Sequence, residues 1–397
     1  MTSNRIALVF DRAYVDAQFC FREMVTHLCD HDWEVDLYIP FSPWHPVPAF
    51  NHDRLKIHFF DHSYPGLLRL LSRLNRIGSK KYDAIIATPQ WALYWSARVG
   101  QLRRIPVICL PDECFMEKNG HETEQGTAMF QSERKWKRRE IWAHHRCAFS
   151  VATGEWWFLN IIKKTNLLPD QHPYVLLPNA PSGNATSLKN YYYRDVLEIP
   201  DDRKILLYSG GMEYSFVREL IEKASSWSCS WCIVFQDRRS NDRQYPTKAQ
   251  NIRFSKFVLP AELMRYATSS ADIGLMLYNR DVPFESRAGS ESGKLGLYLS
   301  CGLPIISCNA DVLSWIQEEG CGVCVPHLDA IPEAARKIMA NYESFRQNAR
   351  RVFDEKFEYS RFFPHFLEKL KGVTNSMRQE PKPWVPMNEK RHRLSYL

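Results

Sequence analysis

The chain has 397 residues, 45% hydrophobic and 24% charged, enough apolar material for two or three cores and not the composition of a disordered protein. Its 52 basic and 45 acidic residues leave a formal charge of +7. That excess is too small and too dispersed for a nucleic-acid binder; it suits anionic small molecules or a weakly anionic membrane surface.

Residues 6–10 form a short apolar run fit for a buried strand, followed by a loop at 11–16, an amphipathic stretch from Ala17 to Leu28 and a second apolar run at 35–39. This β-α-β opening is repeated. Strand-like runs stand at 57–60, 84–87, 107–110, 150–152 and 175–177, and helical stretches at 65–77, 90–101, 129–147 and 155–167. Residues 178–202, with Pro178, Pro181, Gly183 and Pro200, read as a connection. A second series follows, with strands at 204–208, 232–235, 252–254, 273–277, 305–308 and 323–325. Helices are expected at 213–226, 260–269, 293–301, 311–318, 330–341, 343–354 and 359–372.

Such alternation implies an α/β protein of two Rossmann-like, doubly wound domains facing a cleft. The expected division is 1–182, a linker at 183–203, 204–373, and a tail at 374–397 that is disordered or lies back on the first domain. Ligands bind such sheets at the carboxyl ends of their strands, so the cleft is the expected site.

The N-terminus lacks the long apolar core and cleavage site of a signal peptide, and no run nears the roughly 18–20 apolar residues of a spanning helix. A cytoplasmic protein is therefore expected. Its 11 cysteines, mostly in apolar segments, read as reduced core thiols, and the sequon at Asn184 as idle. Cys229/Cys232 and Cys321/Cys324 have zinc-like spacing. Both pairs lie in strand-like runs that point positions i and i+3 to opposite faces, so no metal is expected.

The most informative segment is 290–306, Ser-Glu-Ser-Gly-Lys-Leu-Gly-Leu-Tyr-Leu-Ser-Cys-Gly-Leu-Pro-Ile-Ile. Ser292 suits an N-cap, Gly302 a left-handed C-terminal residue, and Pro304 stops the helix. The helix start, with the Ser292 and Gly293 amides and the charge of Lys294, can hold a phosphate. A capped surface helix with a chance lysine is the alternative.

Here the chain resembles the retaining, family 4 branch of GT-B glycosyltransferases, whose helix K-L-x-x-Y-x-x-x-G-x-P contacts the donor nucleotide. Lys294, Leu295, Tyr298, Gly302 and Pro304 match in order. Tyr208-Ser209-Gly210-Gly211 resembles the family's glycine loop near the donor phosphates. Leu177-Pro178-Asn179-Ala180, Asn251–Pro260 and Ala271-Asp272-Ile273-Gly274-Leu275 match further motifs. The likeness is good over 145–370 and loose before that.

It implies a nucleotide-sugar donor of UDP or GDP type held by Ser209, Gly210, Gly211, Ser292, Gly293, Lys294 and Tyr298, with no other cofactor. Lys294 and the amides would stabilise charge on the departing oxygen, about 3–4 kcal/mol for each well-placed donor. Arg238 or Lys256 would add to it, or are solvated surface residues. The family's two glutamates fall on Gly289 and Leu297, leaving Glu291, or Glu285, to meet the sugar.

Asp11 and Asp112, with Glu113, follow strands of the first domain and are expected to orient or deprotonate a glycan or lipid-linked acceptor, unless they only cap turns. Surface polysaccharide assembly is the expected setting. A basic stretch at 134–146 with Trp136 and Trp142 suits peripheral contact with the inner face of a membrane; the favoured reading keeps its tryptophans in the core. A non-catalytic partner of another transferase, and a GT-B epimerase or hydrolase, remain as alternatives.

Overall fold

The structure, a computed structural model, describes residues 4–379 apart from 12–14, 16–17, 43–49, 51, 62–69, 71, 74–81, 112–125, 187, 213–214, 238–248, 257 and 279–288. Two parallel sheets organise it. The first holds β1 (Asn4–Val9), β2 (Trp33–Pro40), β3 (Leu55–Phe60), β4 (Ala84–Ala87), β5 (Val107–Cys109), β6 (Phe149–Ala152) and β7 (Tyr174–Leu176) in the order β3-β2-β1-β4-β5-β6-β7. The second holds β8 (Lys204–Gly210), β9 (Trp231–Asp237), β10 (Ile252–Ser255), β11 (Ile273–Met276), β12 (Ile305–Ser307) and β13 (Gly322–Cys324) in the order β10-β9-β8-β11-β12-β13.

Both sheets are covered on two faces, which is why their strands read as continuous apolar runs. Along β1, Ile6 and Leu8 join Phe21, Met24, Val25 and Leu28 of the Phe19–Asp30 helix. Ala7 and Val9 turn to the other face, against Leu93 and Ala97 of the Trp91–Arg103 helix. In β8, Ile205 and Leu207 enter one core and Leu206 and Tyr208 the other. Strand order reverses between β1 and β4 and between β8 and β11, so each sheet has a topological switch point.

The expected strands are found with ends shifted by a residue or two. The helices differ more. The 155–167 stretch is a helix with a π-helical segment, Phe158–Ile162, in its middle, and 311–318 divides into Ala310–Leu313 and Trp315–Glu318. Most of 65–77 falls outside the described residues.

The connection expected at 183–203 holds a helix, Tyr192–Leu197, whose Tyr193 is wholly buried in the second core. Lys189 and Arg194 from this segment pair with the buried Asp272 at 2.6 and 3.7 Å. It therefore belongs to the second layer, tied there by an ion-paired carboxylate that a composition scan does not see.

The last helix, Tyr359–Gln379, runs past the expected end at 372 and packs on the first sheet. Its Tyr359, Phe363, Phe366, Leu367 and Leu370 share a core with β1, β6 and the Phe19–Asp30 helix, and Phe366 meets Phe149 with ring centroids 6.2 Å apart. The chain thus crosses back after the second sheet, and the apolar stripe of this helix is buried in the first sheet's core. Among the described residues no helix is long and apolar enough to cross a membrane.

Candidate functional site

The second sheet's switch point is built by residues that fill one another's space. Tyr298 is wholly buried; its hydroxyl accepts the Ser209 N–H at 2.8 Å and donates to the Leu207 carbonyl at 3.2 Å. Its ring lies where a Cβ on Gly274 would fall, 2.4 Å away, so the glycine of β11 makes room for the tyrosine of the next helix. The Ser209 N–H and the Tyr298 hydroxyl, from two residues expected at the donor, are thus bonded to each other. A β8 amide beyond the reach of β11 takes a side-chain acceptor instead. Gly210 ends β8 and Gly211 follows it; the Tyr208 hydroxyl donates to the Gly211 carbonyl at 3.1 Å and lies 2.8 Å from a Cβ built on Gly210.

The helix Gly293–Ser300 begins at the carboxyl ends of these strands. It ends as expected: Gly302 has φ +63°, the Leu303 N–H reaches the Tyr298 carbonyl, and the Gly302 N–H reaches that of Leu299. Its start departs from expectation. Ser292 occupies the N-cap position without a side-chain capping bond, because its Oγ accepts the Tyr278 hydroxyl at 2.5 Å. Gly293 is buried, and Lys294 is 8% exposed. The Lys294 ammonium sits 4.2 Å from the centroid of Tyr278 and 5.1 Å from that of Tyr208, a cation held on two aromatic faces at the ends of β8 and β11. Beside it the helix start has backbone N–H groups beyond the reach of intrahelical acceptors.

Glu291 is partly buried, and its carboxylate turns back to accept the Gly289 N–H at 2.8 Å. Burial raises its pKa to about 7, an effect that backbone hydrogen bonds from Gly289 and from Glu291 itself only partly oppose. Leu297, one of the two positions at which the sequence lacks the expected glutamates, is wholly buried and faces the core.

From the first half, the turn after β6 and the turn after β7 come directly against this helix start. A Cβ on Gly154 would lie 2.9 Å from the Glu291 nitrogen, and one on Gly293 3.2 Å from the Asn179 amide. Asp11 sits at the other switch point, between β1 and β4. There its carboxylate accepts the Thr88 hydroxyl at 3.0 Å and the Gln90 N–H at 2.9 Å. Those bonds clamp the two strand ends.

Asp112, Glu113, Glu285 and Arg238 lie outside the described residues, and Lys256 is exposed. Lys294, Glu291, Ser292, Gly293, Gly210 and Gly211 therefore gather around one helix start, with Asp11 on the facing sheet. Sequence reasoning missed Tyr208 and Tyr278 as the walls around Lys294, and Asn179 and Gly154 as the other half's contribution. Asn179 had a signal, since it stands in a matched motif; Gly154 had none. Among the described residues no three His, Cys, Asp or Glu side chains are grouped as metal ligands.

The basic stretch also has a structure. Trp136 and Trp142 lean on Tyr94, with centroids 6.3 and 5.5 Å away. Arg98 and Arg146 lie over Trp142 at 4.5 and 4.1 Å, and Arg139 over Trp136 at 4.6 Å. The tryptophans are half-buried and wear guanidinium groups. Residues 91–104 contain no acid, and 135–146 contain only Glu140, which is wholly buried.

Residues 214–369 match the family model described as glucosyltransferase 3-like, C-terminal domain. No curated protein matches the sequence. Several solved structures share the fold. The sucrose-phosphate synthase of Thermosynechococcus elongatus superposes with a TM-score of 0.65 at 15% identity, covering 94% of this chain and 100% of that one. HepE of Anabaena, in complex with UDP-glucose, gives 0.66 at 11%, covering 93% and 99%. WaaG, a glycosyltransferase involved in lipopolysaccharide biosynthesis, gives 0.58 at 14%, covering 95% and 100%. The chain has the two-sheet GT-B architecture of these proteins.

Proposed function

We propose that the protein is a glycosyltransferase that moves a sugar from a UDP- or GDP-sugar to a glycan or glycoconjugate acceptor. The observation that carries this reading is Lys294: a buried ammonium held on Tyr208 and Tyr278, beside a helix start, at the switch point of the second sheet. A diphosphate placed there would meet a full charge, the helix N–H groups and the Gly210–Gly211 backbone. As the sugar departs, negative charge grows on the bridging oxygen, and preorganised donors stabilise it more than they stabilise bound substrate. In this reading Lys294 and the helix do the work that a metal ion does elsewhere, and activity survives chelation. Retention of configuration follows the resemblance to family 4, and HepE bound to UDP-glucose supports the donor class.

The acceptor lies on the first half, near Asp11 and the segment holding Asp112. The arginine-tryptophan face formed by 91–104 and 135–146 supports a peripheral position at an anionic membrane, where a lipid-linked acceptor for surface polysaccharide would be found.

The test is titration calorimetry with UDP and GDP, together with transfer assays on their sugars. We expect Lys294→Ala to keep its melting curve and lose transfer by about tenfold to a hundredfold. Wild-type protein that binds neither nucleotide would point instead to a non-catalytic partner, and release or epimerisation of sugar without acceptor to a hydrolase or epimerase.

A further inference from the structure

Asn179 follows β7 in the short turn that leaves the first sheet, and it is 5% exposed. A buried amide must find its partners within the protein. Its Oδ1 accepts the Cys20 N–H at 3.1 Å. The Phe19–Asp30 helix has no side-chain cap of its own, so Asn179 supplies one from 159 positions away. Its Nδ2 donates to the Gln18 side chain at 3.0 Å and to the Glu291 carbonyl at 3.3 Å. A backbone N–H only donates and a carbonyl only accepts, so these partners fix which way the amide points. One side chain therefore joins the approach to a helix of the first half with the approach to the Lys294 helix.

Around it the backbones touch without side chains between them. Gly154 has φ −152° and ψ 127°, a conformation open to any residue. What a side chain lacks there is space, since its Cβ would come 2.9 Å from the Glu291 nitrogen. Gly296 sits inside a helix, where alanine is the better former, yet a Cβ there would lie 2.6 Å from the Ala180 Cβ and 2.9 Å from the Asn179 carbonyl oxygen.

We propose that Asn179 is a positioning residue: it latches the Lys294 helix to the first half and so sets the donor against the acceptor. This rests on the glycosyltransferase reading given above. Nucleotide binding draws on the second half alone, whereas transfer needs both halves in register, and an error of about 1 Å at the reacting atoms costs on the order of a hundredfold.

Three variants test it: Asn179→Asp, Asn179→Ala and Gly154→Ala. Aspartate is a good helix cap, so it keeps the Cys20 bond while losing both donated bonds. If Asn179 only capped the Phe19–Asp30 helix, Asn179→Asp would lose some stability, from a carboxylate set against the Glu291 carbonyl, but the folded protein would keep wild-type kcat. As a latch it fails like alanine: kcat falls at least about tenfold while the UDP or GDP dissociation constant stays within about threefold. Gly154→Ala wedges the same seam without touching Asn179 and gives the same split, which keeps the test open should an Asn179 variant fold poorly. Wild-type kcat in Asn179→Asp, or equal losses of kcat and nucleotide affinity in Asn179→Ala, would overturn the proposal. Should wild-type protein bind neither nucleotide, the functional reading falls, and the latch is judged by small-angle scattering. Asn179→Asp and Gly154→Ala must then raise the radius of gyration; profiles identical to wild type refute the latch.

Discussion

Glu291→Gln should change the protein's response to pH in a predictable direction. Burial raises the Glu291 pKa from the ordinary 4.5 to about 7. Between those values the folded protein holds a proton that the unfolded chain has released, so this residue's contribution to stability is full below pH 4.5 and is lost as pH rises through 7. At about 1.4 kcal/mol per pH unit, the span corresponds to at most about 3 kcal/mol. Glutamine is neutral throughout and can still accept the Gly289 N–H, so the variant lacks this loss.

A second group works the other way. Burial beside the Ser150 hydroxyl lowers the His172 pKa to about 4. Its contribution is full above the ordinary 6.5 and is lost as pH falls toward 4. In wild-type protein these two slopes oppose each other across one window, while burial of His27 and His144 lowers their pKa and adds slope of the same sign as that of His172. The informative quantity is the difference between variant and wild type. Thermal melts at pH 4.5 and 8.5 should show Glu291→Gln gaining up to about 6–12 °C relative to wild type at the higher pH, taking about 2–4 °C per kcal/mol for a unit of this size. An equal offset at both pH values would refute the assigned burial of this carboxyl.

Tyr298→Phe strands the buried Ser209 N–H and should cost about 1–3 kcal/mol in denaturant unfolding, with UDP or GDP affinity reduced only through lost structure. Asp272→Ala removes the partner of Lys189, Arg194 and the Ile205 N–H and should cost about 3 kcal/mol or more in the same assay. Replacing Arg98, Arg139 and Arg146 together by glutamate should abolish co-sedimentation with vesicles containing anionic lipid while leaving the melting curve in place. Equal binding of wild-type and variant protein would reject the membrane contact.

Much of the site was legible because its residues are tied to local rules. Gly302, Pro304 and the apolar run between them and Ser292 define a helix and its stop in any context. What the run did not tell was where each polar group would be spent. Ser292 was expected to cap its helix and instead receives the Tyr278 hydroxyl. Ser209 and Tyr298 were expected at the ligand and bond to each other. Hydrogen-bond partners far apart in sequence compete on equal terms with near ones once both are buried.

The sequence by itself determined two parallel sheets, because strands covered on both faces must be apolar throughout and helices between them must be amphipathic. It also placed a lysine one residue inside a short helix. Only the tertiary structure decided that the last helix returns to the first sheet and that the supposed connection joins the second core. Only there, too, do Asn179 and Gly154 meet the start of the Lys294 helix. Those contacts depend on matching shape and satisfying buried polar groups across more than a hundred positions, and no local pattern encodes them.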